Sequence, residues 1–365
     1  MKKIGSVIGF FLLIIIVGIV LINGKEEDTD ITKEKTMVGM ILNGSIYDQS
    51  WGTSHYVGME KSAKELNLKV EYRENVPADE SCIAVMEELI ESGCEIIICN
   101  SFGFGDWVIQ MAEKYPQIYF FHAAGVEERD NLSTYFGRIY QMRYLCGIVA
   151  GLQTETNEIG YVAAFPIAEV NRGINAFTLG VRKVNPDAKV YVEWSNSWEG
   201  EENAKIATEM LLEKHNIDIL TMHVDTNIPL DIAEENGLWA IGYNYDNSSV
   251  YKNSFLTAPV WQWEEFYQPR ILECLQNKFY GQHYWEDMST GILSLAHLTD
   301  NVKDGIAEVV ESEMEKLKSG SWDVFFGPVV DQDGNIRVQE GESMTDDVML
   351  NAFDWYVEGV VIDGE

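Results

Sequence analysis

From Met37 onward, short apolar runs alternate with stretches whose apolar side chains recur every three to four residues. VGMIL at 38–42 reads as a strand, and in HYVGMEKSAKEL the residues Val57, Met59, Ala63 and Leu66 fall at helical spacing. KVEY at 69–72, EIIIC at 95–99 and IYFFH at 118–122 continue as strands. Between them a helix over about 79–92 opens on Asp79 as N-cap, and another carries Trp107 and Met111. This is the rhythm of right-handed βαβ units on a parallel sheet. It then repeats, with strands IGYVAA at 159–164, KVYVEW at 189–194, IDILTMHV at 217–224 and LWAIGY at 238–243. Helices are expected between them, at about 170–184, 201–215 and 228–236. Two successive units of similar size predict an α/β fold of two doubly wound lobes.

The last hundred residues break the rhythm. Residues 263–280 read as a helix despite Pro269, which kinks it or marks its start. GILSLAHL at 291–298 reads as a strand and 304–318 as a helix. Asp333-Gly334, between alternating apolar positions of 324–338, signals a hairpin. These pieces are expected to pass back and forth between the lobes. At the other end, Lys2 and Lys3 precede an uncharged stretch from Ile4 to Ile22, long enough to cross a bilayer. It reads as an uncleaved membrane anchor with the rest of the chain outside, a cleaved signal peptide being the alternative. Lys25 to Thr36 is charged, without apolar periodicity, and reads as a tether.

Charge narrows the partners. The chain carries 59 acidic against 26 basic side chains, a formal net charge of −33, which repels nucleic acid. It also disfavours phosphorylated ligands outside a local cationic pocket. The five cysteines show no CxxC spacing and read as buried thiols, with one bridge possible in an extracytoplasmic domain. Signatures of catalysis are missing: the chain has no phosphate loop with its lysine, no GxSxG elbow and no HExxH helix. The ladder of Asp331 and Asp333 is too short for calcium. No cofactor and no enzymatic activity are expected.

Binding chemistry gathers instead where strands end, the place at which open α/β sheets hold ligands. Asp48, Ser50 and Trp51 follow the first strand, and Asn100, Ser101 and Phe102 follow the third. Trp198 follows KVYVEW, Asp225 follows IDILTMHV, Asp246 follows LWAIGY and Trp261 follows SFLTAPV. Asn175, on the helix after IGYVAA, is a further candidate. The tryptophans offer walls for a flat heterocycle, and the carboxylates and amides offer partners for its N–H groups and ring nitrogens. Taken one at a time, each Asp, Asn or Ser also suits a helix cap.

The stretch 159–198 (IGYVAAFPIAEV through EWSNSW), the motif Tyr47-Asp48-Gln49-Ser50-Trp51, and Phe326-Gly327-Pro328 with Asp333-Gly334 resemble the basic membrane protein family. These are substrate-binding proteins that include purine nucleoside receptors of ABC transporters. The resemblance implies a type I periplasmic-binding-protein fold, two lobes joined by a hinge of about three crossings. Together with the alternation of strands and helices, it divides the chain into an anchor or signal segment (1–24), a tether (25–36), a first lobe (37–153 plus about 259–322) and a second (154–258 plus about 323–365). It also implies a base sandwiched by Trp51 and Trp198, an acidic contact at Asp48, and a monomer that delivers its ligand to an ABC permease. Nucleoside-binding relatives hold the ribose with an Asp-x-Asp, and here Asn244-Tyr245-Asp246 stands in that place. Where they carry a lysine, Trp261 stands, in a Val-Trp-x-Trp pattern that resembles base-binding members. A free base such as adenine is therefore expected before a nucleoside. A tethered sensor, or a purine nucleosidase using Asp48 to activate water, are the rival classes.

Overall fold

The apolar runs pair as parallel strands in two sheets. A computed structural model describes residues 35–362; the predicted anchor and all but the end of the tether lie outside the described residues. Strands β1 (Met37–Ile41), β2 (Lys69–Arg73), β3 (Cys94–Cys99), β4 (Tyr119–Ala123) and β5 (Leu132–Gly137) form most of the first sheet. Strands β6 (Glu158–Ala163), β7 (Lys189–Trp194), β8 (Ile219–His223), β9 (Trp239–Ile241) and β10 (Phe255–Thr257) form most of the second. After these come β11 (Pro259–Trp261), β12 (His283–Glu286), β13 (Leu293–Leu295), β14 (Val329–Val330), β15 (Ile336–Val338) and β16 (Val360–Ile362). Sheet one runs β12-β5-β4-β3-β1-β2 and sheet two β10-β9-β8-β6-β7-β16, each parallel throughout. Each sheet borrows its late edge strand, so the chain passes between the lobes three times: after Gly137, after Thr257 and after Glu286. The expected two-lobed α/β architecture is present.

The central strands are buried along almost their whole length, which is why they read as unbroken apolar runs. The predicted strands lie within two residues of the observed ones except GILSLAHL, which runs three residues past the end of β13, and the predicted helix at 228–236 matches Ile228–Asn236, with Pro229 in its first turn and Gly237 in the left-handed conformation past its end. Two differences bear on the site. The first helix begins at Trp51 rather than His55, which makes Trp51 its first residue. β11 pairs antiparallel with β13 in a two-stranded ribbon outside both main sheets. Asp79 lies before its helix, accepting the Ser81 N–H, and Ser81 takes the N-cap position. All five cysteines are buried and free. Among the described residues, no helix is long and apolar enough to cross a membrane.

The helix Tyr140–Gln153 lies against the helix Ala168–Val184 at backbone distance. A Cβ on Gly147 would come within 2.0 Å of the Phe177 carbonyl oxygen, and one on Gly180 within 2.0 Å of that of Tyr144. Neither obstacle is a side chain that can swing aside. Gly147→Ala should therefore lower stability by about 2–3 kcal/mol, read as a fall in thermal or urea midpoint. A shift within error would mean that the helices part easily.

Candidate functional site

The cavity forms at the switch points of both sheets, where β1 lies between β2 and β3, and β6 between β7 and β8. The carboxyl ends of these strands face one another across the cleft. Asn43 follows β1, Asn100 to Phe102 follow β3, Ile167 and Glu169 follow β6, and Asp225 follows β8. Together with Trp51, Ala124, Phe136, Trp198 and Tyr243 they enclose about 170 Å³. The lobes already touch around this space. Asn244 Nδ2 donates to Ser50 Oγ at 3.1 Å, Asn247 Nδ2 to the Gln49 carbonyl at 3.0 Å, and Asn43 Nδ2 to Glu199.

Trp51 is fixed by its indole N–H, which donates to the Asn100 carbonyl at 2.8 Å. Behind it stands an aromatic stack. Trp261 lies parallel to Trp263 at 4.3 Å, Trp263 lies parallel to His55 at 4.4 Å, and both tryptophans meet Trp51 edge to face. Across the cleft, Trp198 packs edge to face on Phe165 and His223. Phe102 stands at the mouth and is 64% exposed.

The polar part of the wall is acidic. Asp225 accepts from Asn244 Nδ2 at 2.9 Å. Burial, and then the charges of Asp48, Glu199 and Glu169, hold its carboxyl well above the ordinary range. For Glu169, burial pushes the same way, but the hydrogen bond from His223 (3.2 Å) and the charges of Arg172 and Arg143 outweigh it and leave the carboxyl lowered. His223 itself is pushed down to about 4 by burial and by Arg143, so at neutral pH it is uncharged. Its Nδ1 faces the Tyr161 hydroxyl at 3.1 Å, an arrangement that leaves the proton on Nε2, toward Glu169.

Of the eleven residues singled out from sequence, Trp51, Asn100, Ser101, Phe102, Trp198 and Asp225 come together on the cavity wall. Five do not. The Asp48 carboxylate accepts the N–H groups of Ser50, Gly52 and Thr53 and thereby caps the first helix. Ser50 is buried at the lobe contact. Asn175 spends both amide groups on the Trp355 carbonyl and the Val357 N–H, tying down the C-terminal segment. Asp246 holds its own turn through the Ser248 N–H. Trp261 is 5% exposed and stands behind Trp51, its N–H donated to Asn244 Oδ1 at 2.9 Å. It supports a wall and is not one, because its strand belongs to the ribbon and not to a main sheet. Asn43, Ala124, Phe136, Ile167, Glu169 and Tyr243 complete the lining and were not expected.

Residues 35–324 match the model of the PnrA-like ABC transporter substrate-binding proteins. The chain belongs to that family. Its members bind solutes outside the cytoplasm for ABC transporters. The chain is 32% identical to a purine-binding protein of Brucella abortus, over 90% of this chain and 93% of that one. It is 33% identical to an ABC transporter protein of Haloferax volcanii whose name assigns it glucose, over 90% and 81%. A solved solute-binding protein from Aeropyrum pernix shares the fold, with TM-score 0.68 at 16% identity, covering 82% of this chain and 95% of that one. In this family member the cleft between the lobes is therefore the place to seek the solute. Asn43 carried a usable signal: it lies just past the end of β1, as Asn100 lies just past the end of β3.

Proposed function

We propose that this solute-binding protein captures a purine-type ligand, with a free base such as adenine favoured over a nucleoside, for delivery to an ABC importer. The supporting observation is the cavity frame: Trp51, Phe102, Phe136, Trp198 and Tyr243 present aromatic surface around a small space whose polar edge is amide and carboxylate. Rings of this kind bury the faces of a flat heterocycle, and the polar groups fix its edge. The lining residues include Glu169 and Asp225 and no lysine or arginine, so a nucleotide phosphate would meet repulsion there. Base over nucleoside rests on Asn244, whose amide is engaged by Trp261, Ser50 and Asp225 and has no donor left for a ribose hydroxyl. Attachment to the membrane through residues 1–24 belongs to the same proposal.

Calorimetric titration with adenine, adenosine, inosine and glucose tests this reading. Adenine should give saturable heat and quench tryptophan fluorescence, with the nucleosides weaker by tenfold or more. Heat with glucose and none with any purine would overturn it.

A further inference from the structure

A buried cation stands behind the cavity wall. Arg143, in the first turn of the helix Tyr140–Gln153, is fully buried. Its Nη1 donates to the Met222 carbonyl at 2.7 Å, while Nε and Nη2 find no acceptor. The guanidinium carbon lies 3.9 Å from the centre of the Tyr243 ring and 5.6 Å from that of Tyr161. Aromatic faces offset part of the cost of burying a charge, but unpaired N–H groups add to it. An apolar side chain of similar length would fill the same space at lower cost.

From Arg143 a line of contacts leads to the cavity, which Arg143 itself does not line. Tyr243 belongs to the lining, and its hydroxyl donates to Glu169 Oε1 at 3.4 Å. The same oxygen accepts from His223 Nε2 at 3.2 Å, and the His223 ring meets that of Tyr243 edge to face at 4.6 Å. Charge follows the same line. Around His223 stand Arg143, Tyr161, Tyr243 and, from the helix Ala168–Val184, Glu169 and Arg172; Asp225 acts on Tyr243. Burial and then Arg143 oppose a proton on the His223 ring, Arg172 adds to this, and Glu169 favours one. The imidazole therefore stays neutral at neutral pH, and Glu169 remains an anion with no cationic partner on His223.

We propose that Arg143 is a positioning residue for the solute, acting through the Tyr243 ring and hydroxyl to hold the Glu169 carboxylate at the cavity wall. This rests on the reading that a purine occupies this cavity. The flat guanidinium steadies the ring, and its charge keeps Glu169 from closing an ion pair with an imidazolium.

Calorimetry with adenine on Arg143→Met and Arg143→Lys at pH 7.5 and 5.5 tests this. Each variant is compared with the unmutated protein at the same pH, so that other titrating groups, Asp225 among them, drop out. Arg143→Met should weaken adenine at least tenfold at pH 7.5. The loss should deepen a further threefold or more at pH 5.5, where His223, freed of that cation, takes a proton and draws on Glu169. Arg143→Lys keeps the charge, so its loss should agree within about twofold at the two pH values. Equal losses at both pH values for the methionine variant would mark a merely structural arginine and overturn the proposal, as would a loss under twofold at pH 7.5. A second measurement does not depend on either variant folding: NMR of the unmutated protein should show the His223 ring neutral from pH 7.5 to 5.5, and protonation in that window would overturn the proposal. If the unmutated protein binds no purine base, the purine reading fails and this inference with it. Adenine binding that ignores Arg143 sinks the inference alone.

Discussion

Trp263→Ala will lower the stability of the protein by about 4 kcal/mol, a fall of roughly 10 °C in thermal midpoint, and will abolish calorimetric binding of adenine at micromolar concentrations. Trp263 is fully buried and lies between Trp261 and His55, parallel to both. It also meets Trp51 and Tyr135 edge to face, and donates its indole N–H to Ser54 Oγ at 3.0 Å. No small residue can fill that slot, because the surrounding rings are held by their own bonds: Trp51 to the Asn100 carbonyl, Trp261 to Asn244, His55 to Tyr267. The cavity left behind would stay largely open, and Ser54 would lose its donor. Trp51 would lose the surface that sets its angle, which is why the ligand site should fail together with the core. The packing around Gly58 agrees, since a Cβ there would come within 2.6 Å of Trp263 Cβ. Urea unfolding and titration of the variant check both halves. A loss below about 1 kcal/mol would mean that the stack is decorative.

The same stack shows where the sequence was legible. EIIIC and IGYVAA announce themselves because parallel central strands are covered on both faces and carry apolar side chains along almost their whole length. LSTYFG, observed as β5, does not, because Ser133 and Thr134 are buried there as hydrogen-bond partners for Arg270 and His283. With that strand unread, Phe136 could not be placed on the cavity wall. β16 is a three-residue strand whose partner β7 lies more than 150 residues earlier, and local periodicity carries no sign of such a pairing.

Of the residues picked out at strand ends, Trp51, Asn100, Trp198 and Asp225 lie on the cavity wall. The rule that ligands gather where strands end failed at Trp261 because a short apolar run does not say which sheet it joins, and this one joins the ribbon. It failed at Asp48 and Asp246 for another reason. A carboxylate after a strand can serve the backbone or a ligand, and here the nearby N–H groups took both. Glu169 and Tyr243 were invisible because their role depends on how the turns before and after them aim the side chains, which spacing does not encode.

Asp225→Asn should make the empty protein more stable at neutral pH and make adenine binding weaker by roughly tenfold to a hundredfold. The Asp225 carboxyl is raised well above its ordinary value near 3.8 by burial and by Asp48, Glu199 and Glu169, with only the Asn244 hydrogen bond pulling it down. A carboxyl raised in the fold holds its proton more tightly there than in the unfolded chain. Its contribution is therefore most favourable in acid, below 3.8, and is lost as the pH rises from there through the folded value. Above that range the carboxyl is a net cost to the empty fold. Asparagine keeps the oxygen that accepts from Asn244 and replaces the other with an NH2 facing the neighbouring carboxylates. The thermal midpoint of the variant should exceed that of the unmutated protein at pH 7.5, by about 2–4 °C for each kcal/mol recovered, and the gain should shrink toward pH 4. On the proposed function, an N–H donor of the ligand placed against Asp225 would favour its carboxylate form, a partner that asparagine does not supply. A gain of equal size at both pH values would show that the substitution acts through packing and not through charge. Adenine affinity unchanged by the substitution would remove Asp225 from the binding site.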